Sequence, residues 1–176
     1  MEKLLEILIA LPIKTVVDYL LIIVPIVLSC IAIAISIVTT RKQNKIALFE
    51  LRYKCYSQLR TIRSFDASTH DCDDPRLILK MFDALWGTGI AKTSGEECLI
   101  RCRCQMEIIV HDVLQREFLF RHRFDTDFSE ILKYTQKVLM AATGGTIDVK
   151  SQKELHQLCE LLEKKDVRYM CRKLKI

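Results

Sequence analysis

From Tyr19 to Thr40 the chain reads YLLIIVPIVLSCIAIAISIVTT, 22 residues without one charged side chain. At about 1.5 Å of rise per residue, a helix of that length covers a bilayer hydrocarbon core of about 30 Å. A cleaved signal, a buried core helix and a retained membrane span compete for such a run. Ala32-Ile33-Ala34 has the A-x-A form, and Val27-Leu28-Ser29-Cys30 faintly resembles a lipoprotein processing box. The apolar run continues past either cleavage point, however, and the residues before it are not basic. A core helix rarely needs so long a charge-free stretch. The reading is a retained span over residues 15–40, preceded by an interfacial segment over 1–14, in which MEKLLEILIAL is too short to cross.

The flanks set an orientation. Residues 41–60 carry Arg41, Lys42, Lys45, Arg52, Lys54 and Arg60 against the single acid Glu50, whereas the other flank offers only Lys3 and Lys14. The positive-inside rule then places the larger portion in the cytoplasm, with the short N-terminal segment outside. Cysteine usage agrees with that assignment. Cys30 lies in the span, and Cys55, Cys72, Cys98, Cys102, Cys104, Cys159 and Cys171 form no regular framework, as suits a reducing compartment.

The remainder reads as all-α, one transmembrane helix continuing into a cytoplasmic helical bundle. Ile46, Phe49, Tyr53, Tyr56, Leu59 and Ile62 recur three or four apart without Gly or Pro, which predicts a juxtamembrane amphipathic helix over 41–64 running straight out of the span. The polar stretch DASTHDCDDP breaks that pattern and opens a helical domain over 65–176. Asp74-Pro75 starts its next helix, carrying Leu77, Ile78, Met81, Phe82 and Leu85 and ending near Gly87 and Gly89. Capping-box spacing marks three further starts, Ser94 with Glu97, Asp127 with Glu130 and Ser151 with Glu154. The helix from 94 to 121 is expected to bury Cys98, Cys102, Met106, Ile109, Val113 and Leu114. That from 128 to 142 is expected to bury Ile131, Leu132, Val138 and Leu139 before Gly144-Gly145 closes it, and a last one over 152–172 carries Leu155, Leu158, Leu161 and Leu162. The segment ECLIRCRCQMEIIVHDVL also admits a strand, because it holds β-branched residues in partial alternation.

The order of span, basic cluster, then Asn44, Lys45, Ala47, Leu48, Phe49, Glu50, Arg52, Tyr53 and Tyr56, in the form N-K-x-A-L-F-E-x-R-Y-x-x-Y, resembles the start of many small, uncharacterised bacterial single-span inner-membrane proteins. The resemblance covers about a sixth of the chain and implies a location, with no activity attached.

No reaction centre emerges from the side chains. Cys98, Cys102, Cys104 and His111 tempt a zinc reading, but on one helix Cys98 and Cys102 share a face that Cys104 and His111 do not. His70-Asp71-Cys72-Asp73-Asp74 lacks the glycine and later glutamate of a calcium loop, and Arg121-His122-Arg123 has no nucleophile or paired acid beside it. The Gly87-Thr88-Gly89 and Gly144-Gly145 turns lack the lysine of a phosphate loop. The reading is a non-enzyme with no cofactor and no metal.

Three sets of residues carry the functional expectation. Ser29, Ala32, Ser36 and Thr40 line one face of the span with small side chains, which permits close helix approach as readily as it fits a lone anchor. Ile46, Phe49, Tyr53 and Tyr56 form a face for a protein partner or a second copy. Arg41, Lys42 and Lys45, with Arg172, Lys173 and Lys175 at the other end, suit anionic headgroups of membrane lipid. Few aromatics interleave with those charges, which disfavours nucleic acid. The sequence therefore reads as a membrane-anchored adaptor or sensor-type interaction protein that self-associates. The alternative is an oligomeric membrane-perturbing effector or pore subunit, such as serves in defence against phage.

Overall fold

A computed structural model describes the backbone of residues 13–120 and 124–174, with side chains from Val17 onward. The interfacial segment expected over 1–14 lies outside the described residues apart from the first helical positions, as do Arg121, His122, Arg123 and Lys175. The protein is all-α, and no strand occurs among the described residues. The first helix, α1, runs from Ile13 to Thr69. The chain divides into two compact units, with the boundary after Ile46.

The described residues of the first unit are helix alone. Every side chain from Val17 to Ile46 is exposed, and among the described residues this is the one helix long and apolar enough to cross a membrane. Pro25 lies inside it, where the ring removes a backbone donor. Ser29 donates its hydroxyl to the Pro25 carbonyl at 2.7 Å.

The second unit, from Ala47 onward, is a helical bundle with its own core. It consists of the end of α1, then α2 (Pro75–Trp86), a 3-10 turn (Ile90–Lys92), α3 (Gly95–Glu117), α4 (Phe128–Thr143), α5 (Val149–Leu161), a π-helical segment (Leu162–Asp166) and α6 (Val167–Leu174). Helix α4 is the hub, packing against α2, α3 and α5. Its Phe128, Ile131, Thr135, Val138, Leu139 and Ala142 are buried at a spacing that lets one helix meet several neighbours. The end of α1 contributes Cys55, Leu59, Ile62 and Phe65 to the same core. Phe65 meets Phe82 edge-on, Phe82 stacks on Trp86, and the Trp86 indole N–H donates to Gln58 Oε1 at 3.0 Å.

The structure lengthens α1 beyond the expected break. Residues 66–69 continue the helix, and the hydroxyls that suit a loop fold back onto it: Ser64 bonds the Arg60 carbonyl, Ser68 that of Ser64, and Thr69 that of Phe65. Asp66 and Thr69 consequently face inward. The segment from 98 to 114 is helix, with Cys98, Cys102, Met106, Ile109 and Val113 buried as expected and Leu114 exposed. Leu77 is exposed too, since Ile78 and Phe82 already fill the buried side of α2.

The helix starts separate into those with working caps and those without. Asp74 accepts from the Arg76 amide and Asp127 from the Ser129 amide, both at 2.9 Å. At Ser94 the position is right but the side chain makes no cap bond, and Glu97 turns forward to Arg101 instead. Ser151 does not cap at all. Asp148 holds that role, accepting from the Ser151 amide at 3.0 Å and its hydroxyl at 2.6 Å, so the helix begins at Val149 and Ser151 is buried in its first turn. The expected final helix is interrupted as well, by the π-helical segment between α5 and α6.

These caps make a measurable contrast. Asp148→Ala is expected to lower stability by about 1 kcal/mol, as for a lost acidic cap, while Ser94→Ala stays within about 0.5 kcal/mol, as surface substitutions do. Hydrogen bonds from Ser151 hold the Asp148 carboxyl below the usual range. Its contribution is therefore present above the ordinary carboxylate pKa and is lost as pH falls through the lowered one. Urea unfolding followed by Trp86, the single tryptophan, reads both effects.

Candidate functional site

The second unit concentrates its unusual chemistry along one seam, where the last turns of α1 meet α5, the π segment and α6. At one end Gln152, 3 % exposed, donates from Nε2 to the carbonyls of Thr69 at 2.9 Å and Cys72 at 3.2 Å. Together with the Cys72 amide, which donates to the Thr69 carbonyl at 3.0 Å, these bonds satisfy the carbonyls where α1 ends, a requirement of any buried helix terminus.

One turn back along α1 sits Asp66, 3 % exposed. Its Oδ2 lies 3.0 Å from His156 Nδ1 on α5, and the His156 ring stacks on His70 with centroids 4.4 Å apart and planes 12° from parallel. His70 in turn places Nε2 2.7 Å from Asp71 Oδ2. Asp66 Oδ1 and His70 Nδ1 are buried without a hydrogen-bond partner among the described residues. Burial pushes the Asp66 carboxyl above its ordinary range, and His156, His70 and Arg63 pull against that shift. The stacked rings prevent the two imidazoles from aiming at one point between them, and no cluster of metal-ligand geometry occurs among the described residues.

Further along the seam, Arg63 Nη1 pairs with Glu163 Oε2 at 2.8 Å. Between this pair and Tyr56 opens a cleft of about 170 Å3, lined by Tyr56, Leu59, Arg60, Arg63, Leu162, Glu163, Val167 and Met170. The Cys171 thiol reaches the Tyr56 hydroxyl at 3.5 Å. Arg52 closes the seam, donating from Nε and Nη2 to the Leu119 carbonyl at 3.1 and 3.0 Å and from Nη1 to that of Lys173 at 3.4 Å.

The four residues expected to form one partner face are not alike. Ile46 and Tyr53 are exposed at 53 % and 52 %, Phe49 is half-buried and stacks on Tyr53 at 5.9 Å, and Tyr56 turns inward to the cleft. A second apolar surface stands outside the sequence expectations. Ile100, Cys104 and Ile108 lie four apart on the outward side of α3, with Ile100 and Ile108 both 53 % exposed. Cys98, Cys102, Met106, Ile109 and Val113 occupy the opposite side. The spacing of Ile100, Cys104 and Ile108 is itself a helical signal that could have been read.

Ser29, Ala32, Ser36 and Thr40 are exposed on α1, as are Arg41, Lys42 and Lys45. Arg172 and Lys173 are exposed on α6, with Lys173 Nζ 5.4 Å from the Tyr169 ring centre. Burial pushes the Cys55 and Cys102 thiols up to about 12 and raises Cys159 as well. Cys104 is the exposed thiol of the second unit, and His111 is exposed on the same helix.

No family model, no curated protein and no solved structure matches this chain.

The Asp66 carboxyl supplies a test of the seam. A folded-state pKa raised above the unfolded value means stability that is largest at low pH and declines as pH rises through the raised value. Asp66→Asn removes that titration while keeping an acceptor for His156. Its stability relative to the natural chain is expected to improve as pH rises from below about 3.9, the ordinary aspartate value, toward neutrality. Urea unfolding of both chains across that range checks the sign, and a constant or worsening difference would show that burial does not govern Asp66.

Proposed function

We propose that this chain is a single-span protein of a bacterial inner membrane whose cytoplasmic helical domain is an interaction module for a protein partner, a second copy of the chain included. One observation carries the membrane part of this reading. The side chains from Val17 to Val38 are almost all apolar and all exposed, whereas the second unit buries its own large hydrophobics. An apolar surface of that extent has to be covered from outside the chain, and a helix whose backbone bonds are internal is what lipid accepts. The basic residues Arg41, Lys42 and Lys45 favour the cytoplasmic side for the bundle on their C-terminal side, with anionic headgroups as their counter-charge.

The interaction part rests on what the bundle leaves uncovered. Two exposed apolar features support it, the Phe49–Tyr53 stack and the Ile100, Cys104, Ile108 stripe of α3. Aromatic and aliphatic side chains held on rigid helices are the usual anchors of an interface. The inward turn of Tyr56 removes it from the set offered to a partner, so the contact on α1 is assigned to Phe49 and Tyr53.

Two measurements test the reading. The chain is expected to stay in the membrane pellet through alkaline carbonate. A membrane-impermeant maleimide is expected to modify Lys153→Cys, at an exposed position outside the α3 stripe, in inside-out vesicles and to spare it in intact spheroplasts. Modification in spheroplasts would reverse the orientation. Photocrosslinkers placed at Tyr53 and at Ile108 in native membranes are expected to capture a defined protein, and Ile100→Asp to abolish capture at the second position without unfolding the bundle, Ile100 being an exposed residue. Capture only of other copies, together with collapse of the membrane potential on expression, would replace this reading with that of a pore subunit.

A further inference from the structure

The cleft beside the π-helical segment has a floor and a rim of different character. Leu59, Leu162 and Met170, at most 2 % exposed, form the floor, with half-buried Val167 beside them. Arg60, Arg63 and Glu163 form the rim with the Tyr56 ring. Glu163 is committed to Arg63 at 2.8 Å, while the Arg60 guanidinium has no ion pair or side-chain hydrogen bond among the described residues. Two guanidinium groups and one carboxylate leave the rim with a single uncompensated positive charge.

The local backbone accounts for the opening. A π turn bonds residue i to i+5 and is wider than an α turn, and such turns recur at functional sites. Here it is held by a separate anchor. Asp166, 3 % exposed, accepts from the Thr126 amide at 3.0 Å and the Asp125 amide at 3.4 Å, and Lys165 pairs with Asp125 at 3.1 Å. The bonds that fix the wide turn therefore lie outside the cleft lining. The space beside Leu162 and Val167 persists without a ligand to prop it open.

We infer that this cleft binds a small aromatic or branched-chain monocarboxylate, its apolar body on Leu59, Leu162, Val167 and Met170 and its carboxylate on the Arg60 guanidinium. Size sets the body: the cleft measures about 170 Å3, and an apolar cavity of about 150 Å3 admits benzene. A lipid acyl chain exceeds it. Charge sets the head, since one free guanidinium matches one carboxylate in a bidentate pair, and a dianion would leave charge uncompensated. This site is independent of the membrane and partner reading above, because every residue in it belongs to the bundle.

Sodium benzoate is the probe, added to the full chain in nanodiscs and followed by the methyl resonances of methyl-13C methionine. Met170 lines the cleft, whereas Met81, Met106 and Met140 do not and serve as controls. Benzoate is expected to shift the Met170 methyl saturably and leave the control methyls in place. Benzyl alcohol, with the same body and no charge, is expected to bind at least tenfold more weakly, and acetate, with the charge and no body, to produce no shift. Arg60→Gln, at an exposed position that leaves the core intact, should reduce benzoate to the affinity of benzyl alcohol. Val167→Trp should fill the cleft and abolish both, with unmoved control resonances showing that the bundle is folded. The inference is overturned if Met170 shows no saturable shift at about 10 mM benzoate, ten times a weak millimolar Kd. Equal binding of benzoate and benzyl alcohol, or unchanged benzoate affinity in Arg60→Gln, would overturn it equally.

Discussion

A single helix has to satisfy two different surroundings, and the rest of the structure depends on how α1 does it. From Tyr19 to Thr40 it is apolar on every side, and from Cys55 to Thr69 it is apolar on one side only. The first pattern offers no direction in which to pack and none is used among the described residues, where the surface stays exposed. The second presents Cys55, Leu59, Ile62 and Phe65 as one buried stripe, onto which the short helices assemble. Without that change of pattern there would be no core, since α2, α5 and α6 are each too short to be stable alone in water.

Polar groups decide how far the buried stripe extends. Asp66, Thr69 and Gln152 are all at most 3 % exposed, and each is held in a way that keeps α1 helical to its end. Thr69 returns its hydroxyl to the Phe65 carbonyl, and Gln152 covers the terminal carbonyls. Asp66 is the costly member. A buried carboxylate with one oxygen on His156 and the other unpartnered among the described residues raises its pKa rather than holding its charge freely. Buried polar groups of this kind fix which face of one helix meets which face of another, because any other register strands them.

Much of this was legible in the sequence, and the misses share a cause. The charge-free run, the helix starts at Asp74 and Asp127, the glycine ends and the buried sets of α3 and α4 come from local chemistry that acts within a few residues. Residues 66–69 read as a loop because Asp, Ser and Thr favour turns in isolation, and only the partners on α5 make them helical. The cap was expected at Ser151 and lies at Asp148, since Ser151 is drawn into the core. The strand alternative for 98–114 arose from a real property, since α3 carries apolar residues on both sides: Cys102, Met106 and Ile109 inward, Ile100, Cys104 and Ile108 outward. The seam of Asp66, His70 and His156 was hidden because it joins residues 90 apart in sequence at a position where no helix was expected.

Those two-sided surfaces also order what the bundle can do. The outward side of α3 carries charge at Arg101, Arg103 and Glu107, as α4 does at Lys133 and Lys137 and α5 at Lys153 and Glu160, but on α3 it is interleaved with Ile100, Cys104 and Ile108. Although Arg52 belongs to the basic stretch after the span, it spends its donors on the carbonyls of Leu119 and Lys173. A residue that the positive-inside count assigns to the membrane flank is thus part of the bundle. Arg41, Lys42 and Lys45 stay exposed, and so do Ile100, Cys104 and Ile108 on α3.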